Sequence, residues 1–204
     1  MRLVRAFVDG WREIDSRRFP AAPLDKKSVV FVYAAAVLLL LSLWIGNRNF
    51  FGEHFAAKIP STWPFAEMMG ELWWAAWMLL CYGIVPAVLV KASGGSLRDY
   101  GLTLRGLVKH LPLYALLLVA VTPLVVLAAM QPAFQETYPL CRAAGKNWTN
   151  FLVWEAAYFI QFVSLEFFFR GFLLFGLVRH LGVMAIALSV IPYALIHMGK
   201  PLPE

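Results

Sequence analysis

Polar and apolar positions divide this chain into five long apolar runs separated by polar connectors. The runs are Val29–Gly46, Leu72–Val90, Leu111–Met130, Phe151–Val178 and Leu181–Ile196. An α-helix rises about 1.5 Å per residue, so the first run covers close to 27 Å, enough for the hydrocarbon core of a bilayer. The fourth run is longer than one crossing needs. The fifth is shorter than the roughly 20 residues usual for a span, and is expected to cross partially or at a tilt. Pro112 and Pro123 fall in the third run, and Pro123 is expected to kink it. Trp73, Trp74 and Trp77 cluster near the start of the second, where an interfacial aromatic belt is the simplest expectation. The pattern therefore predicts an all-α, multi-spanning transmembrane helical bundle of about five spans.

Composition agrees with that class. Of the 204 residues 61% are hydrophobic and 15% charged, with a mean hydropathy of +0.68, well above the roughly 45–50% apolar share of a soluble domain. The net charge of +6 belongs to membrane topology and anionic lipid rather than to nucleic acid, since no basic run is interleaved with a nucleic-acid motif. Cys81 and Cys141, one in an apolar run and one in a connector, form no disulfide framework or thiolate metal set.

Residues 1–28 form a basic N-terminal segment. Val4, Phe7, Trp11 and Ile14 recur among its arginines at helical spacing, so it reads equally as an amphipathic helix at headgroup level or as a solvated basic tail. Residues 29–97 hold the first two spans and 98–204 the remainder. Lys and Arg are concentrated in the N-terminal tail and in the second connector (Lys91, Arg98, Arg105, Lys109), with fewer in the first (Arg48, Lys58) and third (Arg142, Lys146). The positive-inside rule then places the N-terminus in the cytoplasm.

The charges inside the fourth run carry the chemistry. Glu166 and Arg170 lie in Ser164–Leu177, SLEFFFRGFLLFGL, an otherwise lipid-soluble stretch. A charge near the bilayer centre costs roughly 2.5–3.5 kcal/mol on insertion scales, so such residues face protein or water and have partners. The four-residue spacing puts both on one helix face. Glu155, about 16 Å further along the axis, is too distant to pair with Glu166. Measured from the surface near Arg179, Glu166 lies about 20 Å deep and His197 about 22 Å on the next helix. In an antiparallel hairpin the two are level, and together they are expected to hold and polarise one water, with Glu166 as general base. Two plainer readings stand beside this. Glu166 and Arg170 also suit a neutralising pair that pins helix packing, and His197 a histidine at a helix end. Phe167, Phe168, Phe169, Phe172 and Phe175 surround the helix as lipid contact or core.

The EFFFRG run, followed 27 residues after its Arg by Tyr193-x-x-x-His197, resembles the CPBP intramembrane proteases, the CAAX protease and bacteriocin-processing (Abi) group. Arg98-Asp-Tyr-Gly-Leu-Thr-Leu-Arg105 is also similar to a connector of that family, so the resemblance covers roughly 98–204. It implies a helical bundle around a water-filled cavity in a cell membrane, a bacterial inner membrane, where Glu and His activate water to cleave a peptide bond. The substrate implied is a membrane-associated peptide or protein. Carried over by position, Arg170 matches the motif Arg, Glu166 the second motif Glu, Tyr193 the aromatic and His197 the first motif His. Leu165 stands where the family has its first Glu, and no His or Asn follows His197 to supply the third motif. The chain is accordingly expected to continue past Glu204, or to be a catalytically compromised relative that acts as a scaffold or immunity-type binding partner. A transporter is disfavoured because no internal repeat is visible. No cofactor is expected. A divalent metal stays open, since one His and one Glu are fewer than the three protein groups of a usual catalytic zinc site.

Overall fold

The computed structural model describes residues 2–16 and 25–198, all of its regular structure helical. Residues 17–24 of the basic segment and the Gly199–Glu204 end lie outside the described residues. Among the described residues eight helices organise the fold: α1 (Arg2–Ser16), α2 (Lys26–Trp44), α3 (Arg48–His54), α4 (Ala66–Ala92), α5 (Leu107–Ala129), α6 (Pro132–Thr137), α7 (Trp148–Leu181) and α8 (Met184–Leu195). Four of them, α2, α4, α5 and α7, are long and apolar enough to cross a membrane. The twelve residues of α8 make the expected short fifth segment. The chain is a membrane protein.

Side chains of the connectors start these helices. Asp25 accepts from Ser28 N at 2.7 Å, Asn47 from Phe50 N at 2.8 Å and Asn147 from Asn150 N at 2.8 Å, each satisfying one amide that a helix start leaves unbonded. Asp25 also faces His180 at 3.3 Å, so the start of α2 is joined to the end of α7.

In lipid, apolar surface alone gives helices little reason to associate, because acyl chains are as apolar as leucine; close packing around small residues does. The core follows that rule. A Cβ on Gly176 would sit 2.7 Å from the Phe31 ring, and one on Gly83 would sit 2.8 Å from Ser164 Oγ. These two contacts bring α2 and α4 against α7. Phe31 lies 4.4 Å from Phe172 between ring centroids, and Tyr82 lies 4.6 Å from Phe168. The same buried cluster reaches Val90 on α4 and Tyr100 in the second connector, so one core runs across the boundary at residue 97.

Two stretches of this core are wider than an α-helix. Leu79–Ile84 of α4 and Phe167–Leu173 of α7 are π-helical. In α4 the cause is Pro86, which has no N–H to give and whose ring crowds the carbonyl one turn back. In α7 the wide turn spreads six residues into the core: Phe167, Phe168, Phe169, Gly171, Phe172 and Leu173 are all buried. Phe175, past the turn, is exposed.

The tryptophans of α4 are half-buried and make contacts within the protein. Trp73 donates its ring N–H to the Ile45 carbonyl at 2.7 Å, and Trp74 packs against Trp154 and Tyr158. The indole of Trp73 thereby satisfies the Ile45 carbonyl at the end of α2. By contrast α5 has no buried residue. Its helix runs through both prolines, and Thr122 donates to the Leu118 carbonyl at 2.7 Å beside Pro123.

Candidate functional site

The α7–α8 hairpin positions the predicted residues. Its turn is Gly182, at φ 52° and ψ −129°, a conformation that side chains other than glycine's rarely adopt. From this turn the arms run back to back, and the first contact between predicted residues is Arg170 with Tyr193: the guanidinium carbon is 5.3 Å from the ring centroid. Phe169 meets the same ring edge-on at 5.2 Å. One turn further from Gly182, Glu166 is salt-bridged to Arg170 on α7. On the other arm His197 lies one turn past Tyr193, with ring centroids 5.0 Å apart. Arg170 thus connects both arms, touching Tyr193 on one and Glu166 on the other.

The carboxylate and the imidazole do not share one opening. His197 lines a cavity of about 300 Å³ together with Leu165, Gln161, Tyr158, Tyr193 and the Ser42–Tyr82 pair. Glu166 and Arg170 line the adjacent cleft, beneath Tyr100, Gly101 and Leu102 of the second connector. A step of one residue turns a helix by about 100°. Leu165 therefore takes the cavity wall, and Glu166 is carried around to the other flank. Glu166 and His197 thus line different openings, and the contacts between them run through Arg170 and Tyr193.

Local bonding fixes the imidazole. His197 Nδ1 is 2.9 Å from the Tyr193 carbonyl. A carbonyl only accepts, so Nδ1 carries the proton in the neutral ring, and Nε2 keeps its lone pair as an acceptor. This is the state a general base requires. On another wall, Ser42 and Tyr82 hydrogen-bond each other, and the Ser42 hydroxyl also lies 2.8 Å from the Leu39 carbonyl. Arg48, at the α3 end, reaches the Leu140 carbonyl at 3.3 Å and Glu71 at 3.9 Å.

Glu155 is exposed. Gln161, whose side chain is buried on the cavity wall, is the residue that sequence reasoning passed over. A lone amide inside an apolar run is the signal that marks it. Among the described residues no group of three or more His, Cys, Asp or Glu is placed to hold a metal ion. No family model, curated protein or solved structure matches the chain.

Proposed function

We propose that this protein is an intramembrane endopeptidase of the CPBP type, hydrolysing a peptide bond of a membrane-associated peptide or protein. What supports the reading is the imidazole of His197, whose hydrogen bond to the Tyr193 carbonyl leaves Nε2 as an acceptor on the wall of a cavity between apolar helices. Nε2 takes a proton from water as the oxygen bonds to the substrate carbonyl carbon, and the proton then passes to the departing amine as the C–N bond breaks. Arg170 orients this ring pair through Tyr193, and Glu166 holds Arg170 in place. Glu166 is in this account a positioning residue rather than the base. The lysines and arginines of the tail and second connector support a cell-membrane location with the N-terminus on the cytoplasmic side.

The test uses fluorescence-quenched apolar octapeptides and the purified protein in detergent micelles. Cleavage by the wild type should fall at least about a hundredfold in His197→Ala, the range for loss of a general base. Glu166→Gln should lower it less, and full activity in Glu166→Gln would remove Glu166 from the mechanism. A second reading, a non-catalytic binding protein of the same type, is favoured by Leu165 on the cavity wall. It predicts that the wild type releases no product.

A further inference from the structure

The His197 cavity carries a polar group that the proposed chemistry does not use. Gln161 is 3% exposed and lines the cavity, yet its side-chain Oε1 has no hydrogen-bond partner among the described residues. Neighbouring polar groups are engaged: Ser42 with Tyr82, and His197 with the Tyr193 carbonyl. Leaving a buried acceptor unbonded is costly, lipid offers no donor to relieve it, and a group that displaces water from the cavity must replace the hydrogen bond that water donates. A leucine or methionine would fill the same space without that cost. The amide is therefore matched to something that enters the cavity and donates a hydrogen bond.

The chemistry of the group identifies the visitor. A side-chain amide presents an acceptor and a donor side by side, the complement of the N–H and C=O that one residue of an extended chain turns to the same edge. An acyl chain has neither. Around Gln161 the wall is aromatic and aliphatic, with Trp154, Tyr158, Tyr193 and Leu165, suited to the apolar side chains of a membrane segment. A volume of about 300 Å³ is at the lower end for ligand sites and suits a short stretch of extended chain.

We propose that Gln161 is a backbone clamp: its side-chain amide hydrogen-bonds the N–H and C=O of one residue of an extended apolar segment lying in the cavity beside His197. This deepens the endopeptidase reading by naming how substrate is held. It rests on the cavity being the substrate site, and not on hydrolysis.

Binding, read by calorimetry on the full chain in detergent micelles, tests the clamp separately from cleavage. The probes are acetyl-Leu-Ala-Leu-amide and its singly N-methylated forms, which lose one backbone N–H each. The wild type should bind one methylated form about tenfold more weakly than the parent, the size of one hydrogen bond. In Gln161→Met, which keeps the length and removes the amide, parent and methylated peptides should bind within about twofold of each other. Gln161→Asn, one methylene short, should do the same and serves if the methionine variant does not fold. Equal binding of all peptides by the wild type overturns the clamp, as does a preference that survives in the variants. Occupancy by lipid, seen as co-purified acyl chain with no peptide binding, also overturns it. A protein that cleaves nothing but selects for the N–H retains the clamp and loses only the hydrolytic step.

Discussion

Arg170 is the cation of two interactions at once: its guanidinium lies over the Tyr193 ring at 5.3 Å, and it is salt-bridged to Glu166 one turn away on its own helix. The Glu166 and Arg170 side chains are 33% and 60% exposed, and on a water-facing surface such a pair contributes little, about 0–1 kcal/mol. The apolar surroundings reverse that ranking. A lone carboxylate at this depth costs roughly 2.5–3.5 kcal/mol, and a cation over an aromatic face gains about 0.5–2 kcal/mol as water is removed.

Arg170→Met should accordingly destabilise the protein by about 2–3 kcal/mol, while the double variant Glu166→Gln/Arg170→Met should be milder than the single one. Thermal unfolding in detergent reads both. Equal losses in the single and double variants would mean that the carboxylate does not depend on Arg170.

Leu165 faces the cavity that holds His197, so Leu165→Glu brings a carboxylate to the imidazole's side of α7. Under the endopeptidase reading, peptide cleavage should rise, by up to about a hundredfold for an added acid–base group. Cleavage unchanged in a folded Leu165→Glu protein would argue against hydrolysis in this cavity.

Gly171 is pressed against the second connector: a Cβ there would stand 2.4 Å from the Tyr100 carbonyl oxygen. Backbone cannot swing aside as a side chain can, so Gly171→Ala should cost about 1–3 kcal/mol, the range for overpacking. Gly52, inside α3 with nothing within 4 Å, supplies the control. Gly52→Ala should gain about 0.5–1 kcal/mol from the stiffer chain.

Acid should weaken the start of α2. Hydrogen bonds from Ser28, helped by His180, hold the Asp25 carboxyl below its ordinary value of 3.8. Because the folded pKa is depressed, this contribution is full above the unfolded value and fades as pH falls through 3.8 toward the folded one. Thermal unfolding followed from pH 5 to pH 3 should therefore decline less steeply in Asp25→Asn than in the wild type.

The spans were legible because lipid imposes one rule on every backbone group, and runs such as Val29–Gly46 satisfy it in one dimension. The meeting of the two arms near Arg170 and Tyr193 was legible too, since rise per residue needs no knowledge of neighbours. Facing was not. Leu165 and Glu166 differ by one position, and which of them reaches the cavity depends on where α8 and α4 pack. Nor does any local pattern announce the π-helical turn at Phe167–Leu173, whose neighbours Tyr100, Phe31 and Tyr82 come from distant parts of the chain. Gln161 was visible as a polar residue in an apolar run, but its open acceptor appears only once the surrounding side chains have chosen their own partners. The contacts of Trp73 and Trp74 within the protein have the same origin: a belt position and a helix contact read alike until the neighbour is known.

The turn at Gly182 makes the hairpin a measuring device. Arg170 and Tyr193 stand almost equally far from it along the chain, and only that equality lets them meet. One residue added to either arm would slide its side chains by about 1.5 Å and swing them through about 100°, separating the guanidinium from the ring even with every residue type retained. Replacing a neighbour repacks locally, whereas changing the count displaces everything beyond it. Variation in chain length consequently belongs to the connectors at 93–106 and 130–147, and the two arms tolerate new letters more readily than a different number of them.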